Sequence, residues 1–306
     1  MRERLARWFD TSGWSRTIIG VPYLWLLVFF LLPFLIVVAM SLASRAMTAP
    51  PFAFAPDFPF VTLTNYARLL EDSLYVRAFL VSLGNAALAT VFCLALGYPM
   101  ALGLTRVGRA WRTTLLMLII LPFWTSFLLR VYAWMGLMGS QSWFNRLLTD
   151  AWNVLVPVDW ALRSMPLMYS NFAVILVFVY TYLPFMVLPL YTSLERLDPI
   201  LDEAATDLGS RPWKVFRDIT LPLSAPGIIA GGFLVFIPAS GELIIPTLVG
   251  DASDPMIGRV INDEFSQARD WPMASAVSVA LLVLLVGPMM LYTRYEACDV
   301  EGDPDP

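Results

Sequence analysis

The sequence predicts an all-α polytopic membrane protein with about six spanning helices. Three observations carry this. Of 306 residues, 58% are hydrophobic and only 14% charged, against roughly 25% charged in a soluble protein. Several apolar runs reach the length of about twenty residues that crosses a hydrocarbon core. The basic residues, finally, gather in alternate connections between those runs.

The spans read as 18–42, 77–104, 113–137, 171–194, 225–248 and 273–294. The first follows Arg2, Arg4, Arg7 and Arg16. It is too long for a signal-peptide core and lacks a small-residue cleavage site, so it reads as a retained span after a cytoplasmic tail, 1–17. Prolines punctuate most spans: Pro22, Pro33, Pro99, Pro122, Pro184, Pro189, Pro238, Pro246 and Pro288. Membrane helices tolerate such residues where neighbours or cavity water satisfy the freed backbone groups. Their density fits a bundle lining a pathway better than an anchor. Together the spans form one transmembrane domain, 18–294.

Arginine and lysine set the orientation. The turn between the second and third spans holds Arg106, Arg109 and Arg112, and the connection before the fifth holds Arg196, Arg211, Lys214 and Arg217. On the opposite side the long connections 43–76 and 138–170, with 249–272, are poorer in such residues for their length. Both termini and the segment 195–224 are therefore expected in the cytoplasm. The last residues, 295–306, read as a disordered acidic tail.

Composition also narrows the chemistry. There is no histidine, hence neither the commonest metal ligand nor the commonest general base near neutral pH. Cys93 and Cys298 are too far apart in sequence to suggest a disulfide and too few for a metal framework. Neither a basic patch nor a basic composition points to nucleic acid. With no clear catalytic pair, the chain does not read as an enzyme.

The segment 195–224 reads as two short helices. Asp198 is placed as an N-cap with Pro199 at the first helical position. Asp202 and Glu203 suit the positive end of the helix dipole. Leu201, Ala204, Ala205 and Leu208 recur on one face, and Gly209 is placed to close the helix in a left-handed conformation. Pro212, Val215, Phe216 and Ile219 repeat the spacing in the second arm. Such stripes either pack on the protein's own helix ends or dock into a partner.

The residues EAA-x3-G-x9-I-x-LP are all present, as Glu203, Ala204, Ala205, Gly209, Ile219, Leu221 and Pro222. This segment resembles the signature of permease subunits of binding-protein-dependent ABC importers. The resemblance implies a type I importer permease fold. It also implies that the segment, with Asp207 and Lys214 inside it, is the coupling helix seated on a separate ATPase. A phosphate-binding G-x-x-x-x-G-K-[ST] loop needs a lysine after glycine. The only lysine here, Lys214, follows Trp213. ATP and Mg would accordingly be used by a partner, and the chain itself would hold no cofactor.

Four further stretches resemble polyamine permeases of the putrescine and spermidine type. They are LPFWTSFLLRVYAWMG (121–136), YTYLPFMVLPLY (180–191), FIPASGELIIPTLVG (236–250) and MIGRVINDEFSQARDWPMASA (256–276). The similarity runs from about Pro22 to Arg294, with a departure at GDASDP, 250–255. The resemblance implies a heterodimer with a second permease, two ATPase subunits, a periplasmic polyamine-binding protein and a bacterial inner membrane.

Glu242 lies inside the fifth span, among Pro238, Gly241 and Pro246, where the helix is expected to be interrupted. A carboxylate at that depth is a functional candidate. Two readings stand: a ligand for a cationic substrate, or a structural ion pair with Arg130. Counting residues at roughly 1.5 Å each puts both at similar depth, and the pair is favoured. Trp124, Tyr132, Trp134, Tyr180 and Tyr182 offer π faces to an alkylammonium, although an interfacial belt or plain packing explains each more simply. The rival to an ABC permease is a secondary transporter driven by an ion gradient through Glu242.

Overall fold

The computed structural model describes residues 13–54, 61–155 and 162–301. The first twelve residues and the last five, read as parts of the two tails, lie outside this description. The chain divides into two compact units, residues 1–72 with 261–286, and residues 73–260 with 287–306.

The first unit holds α1 (Gly13–Leu26), a π turn at Leu27–Leu31 and α2 (Leu32–Ser41). A two-residue antiparallel ladder follows, β1 (Ser44–Arg45) with β2 (Phe52–Ala53), then α3 (Thr64–Glu71). The ladder is the one departure from an all-α description among the described residues. Asp270, 2% exposed, organises this unit. It accepts from the Met273 backbone N–H at 3.1 Å and from Arg68 at 3.2 Å, with Arg45 at 3.9 Å.

The second unit carries α4 (Ser73–Arg106), α5 (Arg109–Ile120), a 3-10 turn at Leu121–Trp124, α6 (Phe127–Met138) and α7 (Trp143–Leu155). Next come α8 (Asn171–Glu195), α9 (Pro199–Asp207) and α10 (Pro212–Val215), then a π turn at Phe216–Thr220 and α11 (Leu221–Leu223). They are followed by α12 (Ala225–Ser240) and α13 (Ile244–Val249). In sequence, α14 (Ile257–Ser266) and α15 (Trp271–Glu301) each contain one boundary of this division.

The core of the second unit is α4, α8 and α12, which pack mutually. Glycine permits the closest of these approaches. A Cβ on Gly227 would stand 2.5 Å from Ser193 Cβ, and one on Gly231 2.8 Å from Met186 Sδ. Only backbones without side chains there bring α12 onto α8.

Among the described residues four helices are long and apolar enough to cross a membrane, and two bent pairs raise the number to as many as six. The expected count of about six therefore stands on counting each pair as one span. The third span is not the continuous helix expected over 113–137: Ala110–Trp124 and Phe127–Met138 meet at 90°. Pro122 and the extended backbone at Thr125 and Ser126 break it. The fifth span does break near Gly241, where α12 stops at Ser240 and α13 resumes at Ile244.

Both π turns share one cause. Leu27–Leu31 precedes Pro33 and Phe216–Thr220 precedes Pro222, each proline standing two residues past the turn. Proline lacks a donor and its ring crowds the carbonyl four residues back, so the preceding turn widens. α15 continues to Glu301, into the stretch read as a disordered tail. Nothing between Arg294 and Glu301 breaks a helix.

Candidate functional site: a helical arm and a carboxylate at a helix break

The arm between α8 and α12 is built as its local chemistry dictates. Asp198 accepts from the Ile200 N–H at 3.0 Å, with Pro199 at the first helical position. Gly209 closes α9 at φ +81°. There Ser210 N–H reaches Ala205 O at 3.1 Å and Gly209 N–H reaches Thr206 O at 2.8 Å, the paired bonds of a Schellman close.

The two apolar stripes part company. In the second arm Val215 is buried and Phe216 meets the Tyr98 ring edge-on at 5.5 Å. In the first, Leu201 and Leu208 stay exposed, as do Ile200 and Trp213. Glu203, Ala204, Asp207, Lys214 and Pro222 are also exposed, while Ala205, Ile219 and Leu221 are half-buried. The second stripe therefore holds the arm to its own chain, and the first presents bare apolar surface.

Behind the arm is a cavity of about 570 Å³ whose lining includes Arg112, Glu195, Asp198, Asp202 and Thr220. Arg112 bonds Glu195 Oε1 at 2.7 Å. At the joint where the arm meets α12 the helix axis bends by 64°. The fully buried Ser224 occupies that joint, 2.9 Å from the Tyr98 hydroxyl.

Deeper in the span, Glu242 sits in the gap between α12 and α13. Tyr182 donates to its Oε2 at 2.6 Å, and the Ile244 N–H donates to its Oε1 at 3.0 Å. The carboxylate thus caps the second half-helix and ties it to α8. Gly258 closes over the gap: a Cβ there would stand 2.6 Å from Gly241 O and 2.7 Å from Glu242 O.

Arg130 does not pair with Glu242, so the favoured ion pair is corrected. Among the described residues Arg130 forms no ion pair, and its buried Nε and Nη1 have no hydrogen-bond partner. Its guanidinium lies over the rings of Phe123, at 5.4 Å, and Phe127, at 5.8 Å. The depth estimate behind the pair assumed a straight third span, and the 90° turn before α6 removes that assumption.

The two charges are joined by rings instead. Phe123 meets Phe185 at 5.0 Å, and Phe185 meets Tyr182 at 6.2 Å. Phe123 and Phe185 were not singled out from sequence. The readable signal was Phe185 three residues after Tyr182, on the same helix face. Of the other aromatic candidates, Trp134 and Tyr180 meet edge-on at 5.5 Å. Trp124 is 89% exposed and Tyr132 also faces outward, so neither joins the Glu242 cluster. Beside Tyr182 and Phe185 opens a largely apolar cavity of about 760 Å³, whose lining includes Ile229, Phe233, Ile237 and Pro238.

Known proteins share this architecture. The spermidine/putrescine transport system permease protein PotB of Salmonella typhimurium (strain LT2) is 39% identical, over 93% of this chain and 94% of its own. The protein of the same name from Haemophilus influenzae is 37% identical, over 92% and 94%. Among solved structures, a bacterial ABC transporter involved in the import of the acidic polysaccharide alginate superposes with a TM-score of 0.64. The match covers 95% of this chain and 99% of that one at 18% identity, which speaks for a shared type I importer permease fold. Residues 94–296 match the family described as binding-protein-dependent transport system inner membrane component. With that match and relatives of this identity over nearly the whole length, the chain belongs to this family, as a membrane-spanning permease component of an ABC importer.

Proposed function

We propose that the chain is the permease subunit of an ATP-driven polyamine importer. With a second permease it forms the path for putrescine or spermidine delivered by a periplasmic binding protein. A separate ATPase drives it through the segment 195–224. It resides in a bacterial inner membrane with both termini in the cytoplasm. The observation that carries the substrate class is the 39% identity to the spermidine/putrescine permease over 93% of the chain.

The geometry supports that reading in three ways. Glu242 is not paired with Arg130, which leaves its carboxylate available to a cation. The neighbouring cavity pairs apolar walls with the Tyr182 ring, which suits an alkyl chain ending in ammonium groups. The bare residues Ile200, Leu201, Leu208 and Trp213 supply an apolar face for the ATPase.

The test is uptake of labelled putrescine and spermidine by vesicles holding the full complex. Uptake that requires ATP, the ATPase and the binding protein is expected. Uptake by this chain alone, driven by a proton or sodium gradient, would replace the reading with a secondary transporter. Uptake of another solute in preference would retain the importer and discard the polyamine.

A further inference from the structure

Helix α7 is built inside out. On a wheel of 100° per residue, Trp143, Leu147, Ala151, Val154 and Leu155 occupy one arc of about 120°. In a water-soluble domain that arc would face the core. Here it faces outward, with Trp143 69%, Leu147 59%, Val154 85% and Leu155 83% exposed.

The opposite side centres on polar residues that are hydrogen-bonded, two of them buried. Asn145 is 0% exposed and Thr149 4%. Asn145 Nδ2 donates to Met138 O and Met165 O, both at 3.0 Å. The Met165 N–H donates to Asn145 Oδ1 at 3.1 Å and Thr149 Oγ1 at 3.0 Å. One turn on, Asn153 and Leu162 exchange two bonds of 2.9 Å. Ser142 caps the helix by accepting from the Asn145 N–H at 3.0 Å. The polar face is thus locked to the chain's own backbone, and the apolar face is what remains.

We propose that α7 lies in the outer membrane–water interface, with Trp143, Leu147, Ala151, Val154 and Leu155 inserted among lipid acyl chains. Three observations choose lipid as the occupant. Standing along the membrane normal from the cytoplasmic face, as the proposed function has it, Ala110–Trp124 rises roughly 22 Å at 1.5 Å per residue, into the outer third of a core about 30 Å thick. With that helix along the normal, the 90° turn between it and α6 would lay α6 along the membrane plane, and α7 begins five residues after α6 ends. At the arc's edge stand Asp150 and Arg146, both exposed, placed to reach headgroups while Trp143 marks the interface. The helix would act as a float, fixing the height of the broken third span.

The experiment uses the intact complex in nanodiscs of phosphatidylethanolamine and phosphatidylglycerol. Cys93 and Cys298 are replaced by alanine, and nitroxide labels are placed singly through Leu147→Cys, Val154→Cys and Arg146→Cys. At 147 and 154, collisions with oxygen are expected to exceed those with a water-soluble nickel chelate severalfold, and at 146 the ratio should reverse. Nickel-dominated collisions at 147 and 154 would place the face in water and overturn the proposal. Labels shielded from both reagents would assign the face to a protein partner and overturn it equally. Each labelled complex is checked by size-exclusion profile, and native mobility at 146 reports that α7 has kept its fold. None of these outcomes depends on which solute is carried.

Discussion

Tyr182 and Glu242, sixty residues apart in sequence, share a hydrogen bond of 2.6 Å at the gap in the fifth span. Tyr182 is 6% exposed, so its hydroxyl has little access to water as a substitute partner. Tyr182→Phe keeps the ring contacts with Phe178 and Phe185 and removes only the donor. A hydrogen bond to a charged group contributes about 1.5–3 kcal/mol, and the complex should lose thermal stability on that scale. Glu242→Gln retains an acceptor for Tyr182 but no charge. It should assemble while polyamine uptake falls at least tenfold, about 1.4 kcal/mol in transition-state terms. Normal uptake by Glu242→Gln would remove this residue from the path.

Arg130 and Glu242 are joined by aromatic rings and not by an ion pair. Changes that share no direct interaction add to within about 0.5 kcal/mol. Arg130→Gln and Glu242→Gln should therefore combine additively in the unfolding free energy of the purified chain. A coupling above about 1 kcal/mol would restore the ion pair.

The contact of α12 with α8 depends on missing side chains. Gly227→Ala puts a methyl 2.5 Å from Ser193 Cβ and 2.9 Å from Pro189 O. Backbone cannot yield as a side-chain tip can, so the helices must part, at about 1–3 kcal/mol. Gly232→Ala meets nothing nearer than Thr90 Cγ2 at 3.9 Å and should be neutral or slightly stabilising. Melting temperatures of the two variants in one detergent check this. Equal stability would mean that the close approach is not maintained.

What was legible in the sequence was local. Asp198, Pro199 and Gly209 specify their caps through bonds that span two to five residues, and the structure forms them. The gap near Gly241 was readable because Pro238, Gly241 and Pro246 crowd one turn apart. The gap at Thr125 and Ser126 was not, because two small polar residues barely lower the hydropathy of a long apolar run. Once missed, it misplaced Arg130, since depth counted along a chain holds only while the helix is straight. Periodicity showed two apolar stripes on the arm but not that one is covered and the other bare. In α7 the pattern names an apolar face, whereas its direction is set by Asn145, Thr149 and the distant Met165.

The joint between the arm and α12 offers a test in which two partners of one bond behave differently. Ser224 donates to Leu221 O at 3.0 Å, so the 2.9 Å contact with Tyr98 is donated by the tyrosine. Tyr98→Phe removes that hydroxyl and leaves no buried donor behind, so the loss is one net hydrogen bond, about 0.5–1.5 kcal/mol. Ser224→Ala instead strands the Tyr98 hydroxyl in a site where Tyr98 is 7% exposed. An unpaired buried donor costs about 1–3 kcal/mol, so this change should be the more damaging one. Combining the two removes the stranded group, and the double variant should be at least as stable as Ser224→Ala alone. The joint lies at the 64° bend through which any movement of the arm reaches α12. ATPase stimulation by the loaded binding protein should therefore fall in both single variants, more in Ser224→Ala, while basal hydrolysis stays unchanged. Melting curves and stimulated ATPase rates for the three complexes measure both effects. Strict additivity in the double variant would show that Tyr98 and Ser224 do not share this bond.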